Sequence, residues 1–356
     1  MCWPQWVCLL LFICCAQSGY GESATVNLLV GSDFHLRRNP ARTVEFLRDT
    51  LDGAGGVDAV VLNGDLVDYP DPGHDRLGRL LAAVGDMPRL VLFGNHDGDD
   101  AFRPEDRARL RAAELAIPGV SLAAQDELRG ADGLVDLVVG GLRVIALDTG
   151  SRRPAMFHVN GYDTAPEKAI RRMRQTAPHS TCTLAFMHIP PCEICSMLTE
   201  LDGSLRESVS ASMPNDRGVW EGLQQAGVKH VFLGHDHGNL GTVLDAPDDI
   251  SVHYSGRGGF EGYYVGAANQ ASLLHVAVDT DTCTVTVGVS SQTRAHVAAT
   301  SIAKPDVPRC GCPLKFDSFG ILAVLVPGVV SLLTGACSLL SLVLYNGKKN
   351  STRSNK

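Results

Sequence analysis

Apolar positions recur along the chain with two different periods, and each period predicts a different element. Short apolar runs bounded by polar residues and glycines are typical of buried strands, whereas apolar residues three and four positions apart lie on one face of a helix. The strand-like runs are 26–30, 58–62, 90–93, 134–139, 142–147, 183–187, 228–233, 242–244, 251–254, 272–278 and 284–289. The helical patterns are 40–51, 75–84, 104–115, 164–176 and 219–226.

The order of these elements predicts an α/β fold. Strands alternate with helices as far as residue 233, and mainly strands follow. Hairpin or turn signals occur at Gly140-Gly141 and at residues 279–282. We therefore predict one α/β domain with mixed sheets over residues 19–295. Residues 296–318 contain three prolines and little periodicity, which indicates a stalk.

Two apolar segments near the ends of the chain have a different explanation. Residues 6–16 form a short uncharged run before small residues, which predicts a secretory signal peptide over residues 1–18. A buried strand or an uncleaved anchor is the alternative. Residues 319–345 are 27 uncharged residues, enough for a transmembrane helix, with a glycosylphosphatidylinositol signal as the alternative.

The tail after the second apolar segment sets the predicted orientation. Residues 346–356 contain four basic residues and no acidic ones. The positive-inside rule then places this tail in the cytoplasm. We expect a single-pass type I membrane protein whose ectodomain lies in the lumen of the secretory pathway, at the cell surface or in a lysosome-like compartment.

Charge narrows the class of partner. The chain has 356 residues, of which 45% are hydrophobic and 20% charged, as in ordinary globular proteins. The net charge is −8, and the tail contributes +4, so the remainder carries −12. Such an acidic ectodomain differs from the basic surfaces that bind nucleic acid, and we expect no nucleic-acid partner. The acidic ectodomain can bind a cationic metal more easily than a polyanionic partner.

Cysteine placement fits an exported domain. Six of the eleven cysteines lie between the two apolar end segments, at positions 182, 192, 195, 283, 310 and 312. They allow up to three disulfides, and the spacing leaves the pairing open. Cys192 and Cys195 form a C-x-x-C motif that suits a disulfide, a redox pair or half of a zinc site. Because the chain has no second such motif, we favour a structural disulfide.

Five polar blocks, each directly after a predicted strand, carry the candidate chemistry. They are SDFH (32–35), NGD (63–65), GNHD (94–97), MHIP (187–190) and GHDH (234–237). In α/β proteins, ligands bind beyond the carboxyl ends of the strands. Ligands two residues apart on an extended chain point to the same side. Any single block arises easily by chance, and a lone loop histidine is usually just hydrogen bonded. Chance does not explain all five in succession.

The order D-x-H, G-D, G-N-H-D, H and G-H-x-H resembles the signature of calcineurin-like metallophosphoesterases, over about residues 26–290. The resemblance implies a four-layer α/β/β/α sandwich with two metals at the sheet edges. It implies seven metal ligands: Asp33, His35 and His237 for the first metal, Asn95, His188 and His235 for the second, and Asp65 as the bridge. It also implies that His96 acts near the leaving group, with Asp97 as its orienting partner.

Two further stretches, 187–191 and 256–260, resemble the purple-acid-phosphatase-like branch of this family. In purple enzymes a tyrosine three residues after the bridging aspartate ligates ferric iron. Here that position is Asp68, and Tyr69 follows it. The resemblance therefore implies a generic dinuclear site and not a tyrosinate–iron centre.

The types of ligand atom in these residues indicate which metals the site would bind. Imidazole, carboxylate and amide oxygen suit two divalent or mixed-valence ions of Fe, Zn or Mn better than calcium. The resemblance implies a metal-dependent, acid-phosphatase-like phosphoric ester hydrolase, in which a metal-bridging hydroxide attacks phosphorus and His96 protonates the leaving oxygen.

We expect a membrane-anchored enzyme for phosphomonoesters. One alternative is a phosphodiesterase for nucleotide, phospholipid or glycolipid-anchor substrates. Another is a non-catalytic scaffold, although such scaffolds usually lose ligands and none is missing here. Arg152 and Arg153 are candidates for phosphate binding, with solvated arginines as the simpler interpretation.

Overall fold

The structure of the protein is a computed structural model. The structure describes residues 25–68, 75–98, 133–139, 141–149, 167–175, 182–191, 193–194, 200–204, 209, 218–244, 249–261 and 270–293. Several predicted segments lie outside these residues: the signal peptide, the helix at 104–115, the stalk, the transmembrane helix and the basic tail. None of the helices in the described ranges has the length and apolar character that crossing a membrane requires.

The described part of the chain contains twelve strands, four α-helices and a short 3₁₀ helix at His96–Gly98. The strands are β1 (Thr25–Gly31), β2 (Ala59–Asn63), β3 (Arg89–Leu92), β4 (Leu134–Val139), β5 (Leu142–Leu147), β6 (Cys182–Met187), β7 (Glu200–Ser204), β8 (His230–Leu233), β9 (Leu240–Leu244), β10 (Ser251–Ser255), β11 (Gln270–Asp279) and β12 (Thr284–Thr293). The helices are α1 (Ala41–Ala54), α2 (Asp75–Val84), α3 (Glu167–Gln175) and α4 (Val219–Gln225).

The strands form two mixed sheets. The first has the order β12-β11-β1-β2-β3, in which β1, β2 and β3 run parallel and β11 is antiparallel to β1. The second has the order β4-β5-β6-β8-β10-β9-β7, with β5, β6, β8 and β10 parallel. The prediction of an α/β fold with mixed sheets is confirmed. The parallel strands in both sheets bring the loops at their carboxyl ends to one edge.

Three apolar cores separate four layers. One core packs α1 and α2 on the five-stranded sheet through residues such as Leu47, Leu62 and Leu80. A second fills the space between the sheets and includes Phe186 and Phe232, whose rings stack with centroids 5.0 Å apart. The third packs α3 and α4 on the seven-stranded sheet. The layers are therefore helix, sheet, sheet and helix, because each sheet buries both faces.

A disulfide joins Cys182 to Cys283, which are 101 residues apart. Cys182 is the first residue of β6, and Cys283 lies in the turn between β11 and β12. The bond therefore links the seven-stranded sheet to the five-stranded sheet. Cys192 and Cys195, for which we predicted a local disulfide, lie outside the described residues.

One strand was not predicted. β7 has the sequence ELDGS, with two acids and a glycine and no apolar alternation. It is an edge strand that pairs with β9 alone in the described part of the sheet, in antiparallel register. Its main-chain pairing with β9 places it in the sheet, and the hydrophobic pattern carries no signal for such pairing.

Candidate metal centre

The polar blocks after β1 and β2 continue the parallel pairing of those strands. Asp33 N donates to the carbonyl oxygen of Gly64 (2.9 Å), and His35 N donates to that of Asp65 (3.0 Å). In the other sheet, Gly234 N donates to the carbonyl oxygen of His188 (3.1 Å). These hydrogen bonds hold the loops in fixed register, so the side chains they carry are held together at one edge.

Four of the predicted ligands have left-handed backbone conformations. The φ angles are 56° for Asp33, 45° for His35, 51° for Asp65 and 72° for His235. Positive φ is uncommon for residues other than glycine, and it clusters at functional sites where the surrounding structure enforces it. Its occurrence at four ligand positions supports a functional role for this edge.

Two glycines allow the loops to approach closely. A Cβ atom on Gly94 would lie 2.0 Å from Oδ1 of Asp65, and one on Gly234 would lie 2.0 Å from Oγ of Ser32. Neither position can hold a larger residue without displacing a loop that carries a ligand. The glycines at 94 and 234 are therefore part of the site.

The first cluster consists of Asp33, His35, Asp65 and His237, which can offer ligand atoms within 4.8 Å of one another. The Nε2 atoms of His35 and His237 are 2.8 Å apart. Oδ1 of Asp33 is 3.2 Å from Nε2 of His237. Two imidazoles and two carboxylates thus converge on one small volume, as four ligands of a transition metal do.

The second cluster consists of Asp65, His188 and His235. Oδ2 of Asp65 lies 3.1 Å from Nε2 of His188 and 3.6 Å from Nε2 of His35. One oxygen of Asp65 therefore faces both clusters, which is the position expected of a bridging carboxylate. Asn95, the remaining predicted ligand, is buried, with 1% of its surface exposed.

The atoms that point away from the clusters are already hydrogen bonded. Nδ1 of His188 lies 2.9 Å from the carbonyl oxygen of Asn63, and Oδ1 of Asp65 accepts from His96 N at 2.8 Å. Oδ2 of Asp33 accepts from His235 N at 2.9 Å. Contacts of this kind orient metal ligands and fix histidine tautomers.

In the part of the chain that the structure describes, four of the atoms that face the clusters have no hydrogen-bond partner of acceptable geometry. Within the described residues, no hydrogen bond of acceptable geometry reaches Oδ1 of Asp33, Oδ2 of Asp65, Oδ1 of Asn95 or Nε2 of His188, all of which are buried. Buried polar atoms without partners are costly, so such a group usually has a ligand. The residues present therefore fit a dinuclear metal centre.

The pKa values of several predicted ligands are shifted because these buried ionisable groups lie close together. Burial lowers the pKa of His188, but the Asp65 and Asp33 carboxylates raise it to about 9 overall. Burial raises the pKa of Asp65, but His188 and the neighbouring histidines bring it below its usual range. Burial and the charge of His188 lower the pKa of His235 to about 3, so its imidazole is neutral. A neutral imidazole is the form that binds metal.

His96 and Asp97 occupy different positions beside the clusters. His96 is 26% exposed, and its Nδ1 is 3.9 Å from Oδ1 of Asp68. The Asp97 carboxylate accepts from the main-chain N–H groups of Leu66 (2.8 Å), Val67 (3.0 Å) and Gly94 (2.8 Å). Asp97 thus holds two ligand loops together. Its predicted role as the orienting partner of His96 stays a prediction.

The Asp97 carboxyl is itself buried among negative charge. Burial and the Asp65 carboxylate raise its pKa to about 6, although the hydrogen bonds from Val67 and Gly94 act in the opposite direction.

Sequence reasoning missed the role of Asp68, which lies 2.7 Å from Nδ1 of His35 through Oδ1. Asp68 lies outside the polar block at 63–65, and its contact with His35, 33 positions away, leaves no local signal in the sequence. Tyr69, Arg152 and Arg153 lie outside the described residues.

Comparisons with known proteins agree with this geometry. A family model for calcineurin-like phosphoesterases matches residues 26–239. A curated relative from Arabidopsis thaliana, the probable inactive purple acid phosphatase 28, is 25% identical over 256 residues, which cover 62% of this chain and 63% of that protein. The chain therefore spans less than two thirds of that relative's length.

The solved structures that match this chain have low sequence identity to it. The purple acid phosphatase PPD1 of yellow lupin is 12% identical with a TM-score of 0.39, and the match covers 76% of this chain and 54% of that one. GAP50, the anchor in the inner membrane complex of Plasmodium, is 12% identical with a TM-score of 0.41, covering 82% and 98%.

Proposed function

The chain belongs to the calcineurin-like phosphoesterase family, and on this premise we propose that it is a membrane-anchored, metal-dependent hydrolase of phosphomonoesters. The observation that carries the proposal is the convergence of buried ligand atoms on Asp65. Its Oδ2 faces both His35 and His188 and has no hydrogen bond within the described residues. A single carboxylate oxygen in this position suits a pair of metal ions.

In this proposal Asp33, His35 and His237 would hold the first ion and Asn95, His188 and His235 the second, with Asp65 shared. All of these residues except Asn95 belong to the two clusters. When bound, such ions activate a water molecule for attack on phosphorus and stabilise the charge on the phosphoryl oxygens.

The remaining steps belong to the protein. His96 is close to the clusters and partly exposed, so its imidazole can donate a proton to the leaving oxygen. Asp97 keeps the Gly94 loop against the loop that carries Asp65. This contact fixes the distance between the metal ligands that the two loops carry. A leaving group of low basicity, such as a phenol, depends less on the proton from His96.

A second candidate function is a non-catalytic scaffold, and one observation favours it. The Arabidopsis relative is named as probably inactive. Against this, all seven predicted ligand residues and His96 are present in this chain. Hydrolysis of phosphodiesters is an outcome that the same experiment distinguishes.

The test uses the full chain, purified in a mild detergent and loaded with Zn²⁺, Mn²⁺ or Fe²⁺. We expect about two tightly bound ions per chain, by elemental analysis, and hydrolysis of p-nitrophenyl phosphate in preference to bis(p-nitrophenyl) phosphate. Asp65→Asn abolishes both metal retention and activity, and the exposed Asp52→Asn is the control. His96→Ala keeps the metal and lowers activity more on an alkyl phosphate than on p-nitrophenyl phosphate.

Each alternative has its own outcome. Tight metal binding without hydrolysis of any ester establishes the scaffold, and preferential hydrolysis of the diester establishes a phosphodiesterase. Activity that survives Asp65→Asn overturns the metal-dependent mechanism. Resistance of the full chain to alkaline carbonate extraction from membranes tests the anchor, and release into the supernatant contradicts it.

A further inference from the structure

Asp68 lies beside the metal centre because the main chain places it there. Residues Leu36 and Val67 form a parallel bridge beyond the ends of β1 and β2. Asp68 N donates to the carbonyl oxygen of Leu36 at 3.2 Å. The carboxylate of Asp68 is consequently held next to the side chains of His35 and Arg37, and only 12% of it is exposed.

The two oxygens of Asp68 contact two different basic groups. Oδ1 lies 2.7 Å from Nδ1 of His35, and Oδ2 forms an ion pair with Nε of Arg37. A carboxylate that bridges two bases in this way keeps Nδ1 of His35 protonated. The lone pair of the imidazole is then on Nε2, which faces the carboxylates and the histidine of the first cluster.

Arg37 is fixed at its main chain and at one nitrogen of its side chain. Its N–H donates to Oε2 of Glu261 at 2.8 Å, and the next two N–H groups, of Arg38 and Asn39, donate to Oε1 of the same carboxylate. The side chain of Arg37 is 50% exposed. Its Nε binds Asp68, and in the described part of the chain no hydrogen bond involves Nη1 or Nη2.

The guanidinium of Arg37 is therefore separated from the first cluster by one carboxylate. The same carboxylate lies 3.9 Å from His96, the side chain expected near the leaving group. A guanidinium held through Nε leaves two parallel N–H donors, which match the oxygens of a phosphoryl group. The cluster is rich in carboxylates, so a half-exposed cation beside it also favours the approach of an anionic ester.

We propose, on the basis of the function proposed above, that Arg37 binds the phosphoryl oxygens of the substrate, and that Asp68 is the positioning residue that holds both Arg37 and the metal ligand His35. Asp68 thus contacts both a metal ligand and the guanidinium that binds the anion. The ligand class is a phosphate ester with at least one free anionic oxygen.

The first test measures metal binding, which needs no turnover. The full chain in detergent is stripped of metal and titrated with Zn²⁺ by calorimetry. Asp68→Asn keeps the shape of the side chain but weakens its hold on His35 and Arg37, and we expect its affinity to fall about tenfold or more. Asp136→Asn is the matched control, because Asp136 is another carboxylate that binds an arginine, Arg143. It lowers stability without changing metal affinity.

The second test measures anion binding with inorganic phosphate as the probe. In the Zn²⁺-loaded protein, Arg37→Gln weakens phosphate binding about tenfold and leaves Zn²⁺ affinity unchanged, and Arg38→Gln is the exposed, neighbouring control. Arg37→Lys recovers only part of the loss, since an ammonium cannot form the paired contact. Because Asp68 holds Arg37, Arg37→Gln should weaken phosphate binding less in the Asp68→Asn variant than in the wild-type protein.

Either of two results overturns the proposal. The first is that Asp68→Asn binds Zn²⁺ as tightly as Asp136→Asn does. The second is that Arg37→Gln binds phosphate as tightly as Arg38→Gln does. Either can occur in a chain that hydrolyses esters, and the proposed function then survives alone. If the binding differences are found in a chain that hydrolyses no ester, the inference stands and the proposed activity fails.

Discussion

Nδ1 of His188 lies 2.9 Å from the main-chain carbonyl oxygen of Asn63. A carbonyl oxygen only accepts hydrogen bonds, so Nδ1 carries a proton and Nε2 is the atom directed at Asp65, 3.1 Å away. Burial lowers the pKa of His188, but the Asp65 and Asp33 carboxylates raise it to about 9. In the metal-free protein Nε2 is therefore protonated at neutral pH, and a metal ion must displace that proton.

Metal affinity should consequently rise with pH. Below the raised pKa of His188, each displaced proton increases the affinity for Zn²⁺ by about tenfold per pH unit. Calorimetric titrations between pH 6 and 8, in buffers with different heats of ionisation, count the protons released. We expect at least one per chain. An affinity independent of pH across this window contradicts the placement of the proton on Nε2.

Replacement of Gly94 by alanine should disrupt the centre. The new Cβ atom would lie 2.0 Å from Oδ1 of Asp65, so the bridging carboxylate has to move. We expect metal affinity to fall by about tenfold or more, as for other changes that misplace a ligand. Gly78→Ala in α2 is the matched control, because its Cβ meets no atom within 4 Å. It stabilises the helix by about 0.5–1 kcal/mol and leaves metal binding intact. Equal metal affinity in both variants argues against close packing at Gly94.

Acid should weaken the fold through His253, which is buried in β10 and is not among the predicted ligands. Its ring stacks on Phe232 and contacts His230 (3.1 Å) and Thr242 (2.9 Å). Burial, with the nearby His230, lowers the pKa of His253 to about 3. The unfolded chain, where histidine titrates near 6.5, then binds more protons than the folded chain between about pH 3 and 6.5. Stability therefore falls as the pH drops through this window.

His253→Phe removes the side chain that takes up a proton on unfolding, and it keeps an aromatic ring against Phe232. In the metal-free protein, we expect the free energy of unfolding of this variant to depend on pH less steeply than that of the wild type, by up to about 1.4 kcal/mol per pH unit. Urea titrations from pH 6.5 to 4.5 measure the difference in slope. Parallel stability profiles for the two proteins would show that the pKa of His253 is the same in the folded and the unfolded chain.

Loss of the disulfide should lower stability but not metal binding. Cys182 begins β6, whereas His188 follows the last residue of that strand, so the bond and the ligand lie at opposite ends. Cys182→Ser and Cys283→Ser, singly or together, should each cost about 2–5 kcal/mol in the free energy of unfolding. Zn²⁺ affinity at pH 7.5 stays at the wild-type value. A single variant that keeps full stability, or labelling of both thiols in the native protein, contradicts the bond.

Much of the fold could be predicted because most of its strands are apolar and buried. The hairpin of β4 and β5 has the predicted bounds, since two apolar runs flank a glycine pair. The bounds of α2 were predicted for a similar reason, since Leu77, Leu80, Leu81 and Val84 form one buried face. The polar blocks were located by the same logic, because parallel strands deliver their loops to a common edge.

The features that were missed depend on contacts distant in sequence. β7 has no apolar pattern, and its pairing with β9 places it in the sheet. Asp68 touches His35 across 33 positions, and nothing in a local window distinguishes it from a solvated acid. Its role becomes visible only when the bridge between Leu36 and Val67 brings the two loops together.

The left-handed conformations of Asp33, His35, Asp65 and His235 have a consequence for transplanting the centre. A histidine in this conformation costs roughly 1–2 kcal/mol relative to a right-handed one, and the rest of the loop has to compensate. Copying the seven side chains onto another α/β protein would therefore not reproduce their geometry. The portable unit is the set of turns with their glycines, because much of the information that specifies the centre resides in the course of the main chain.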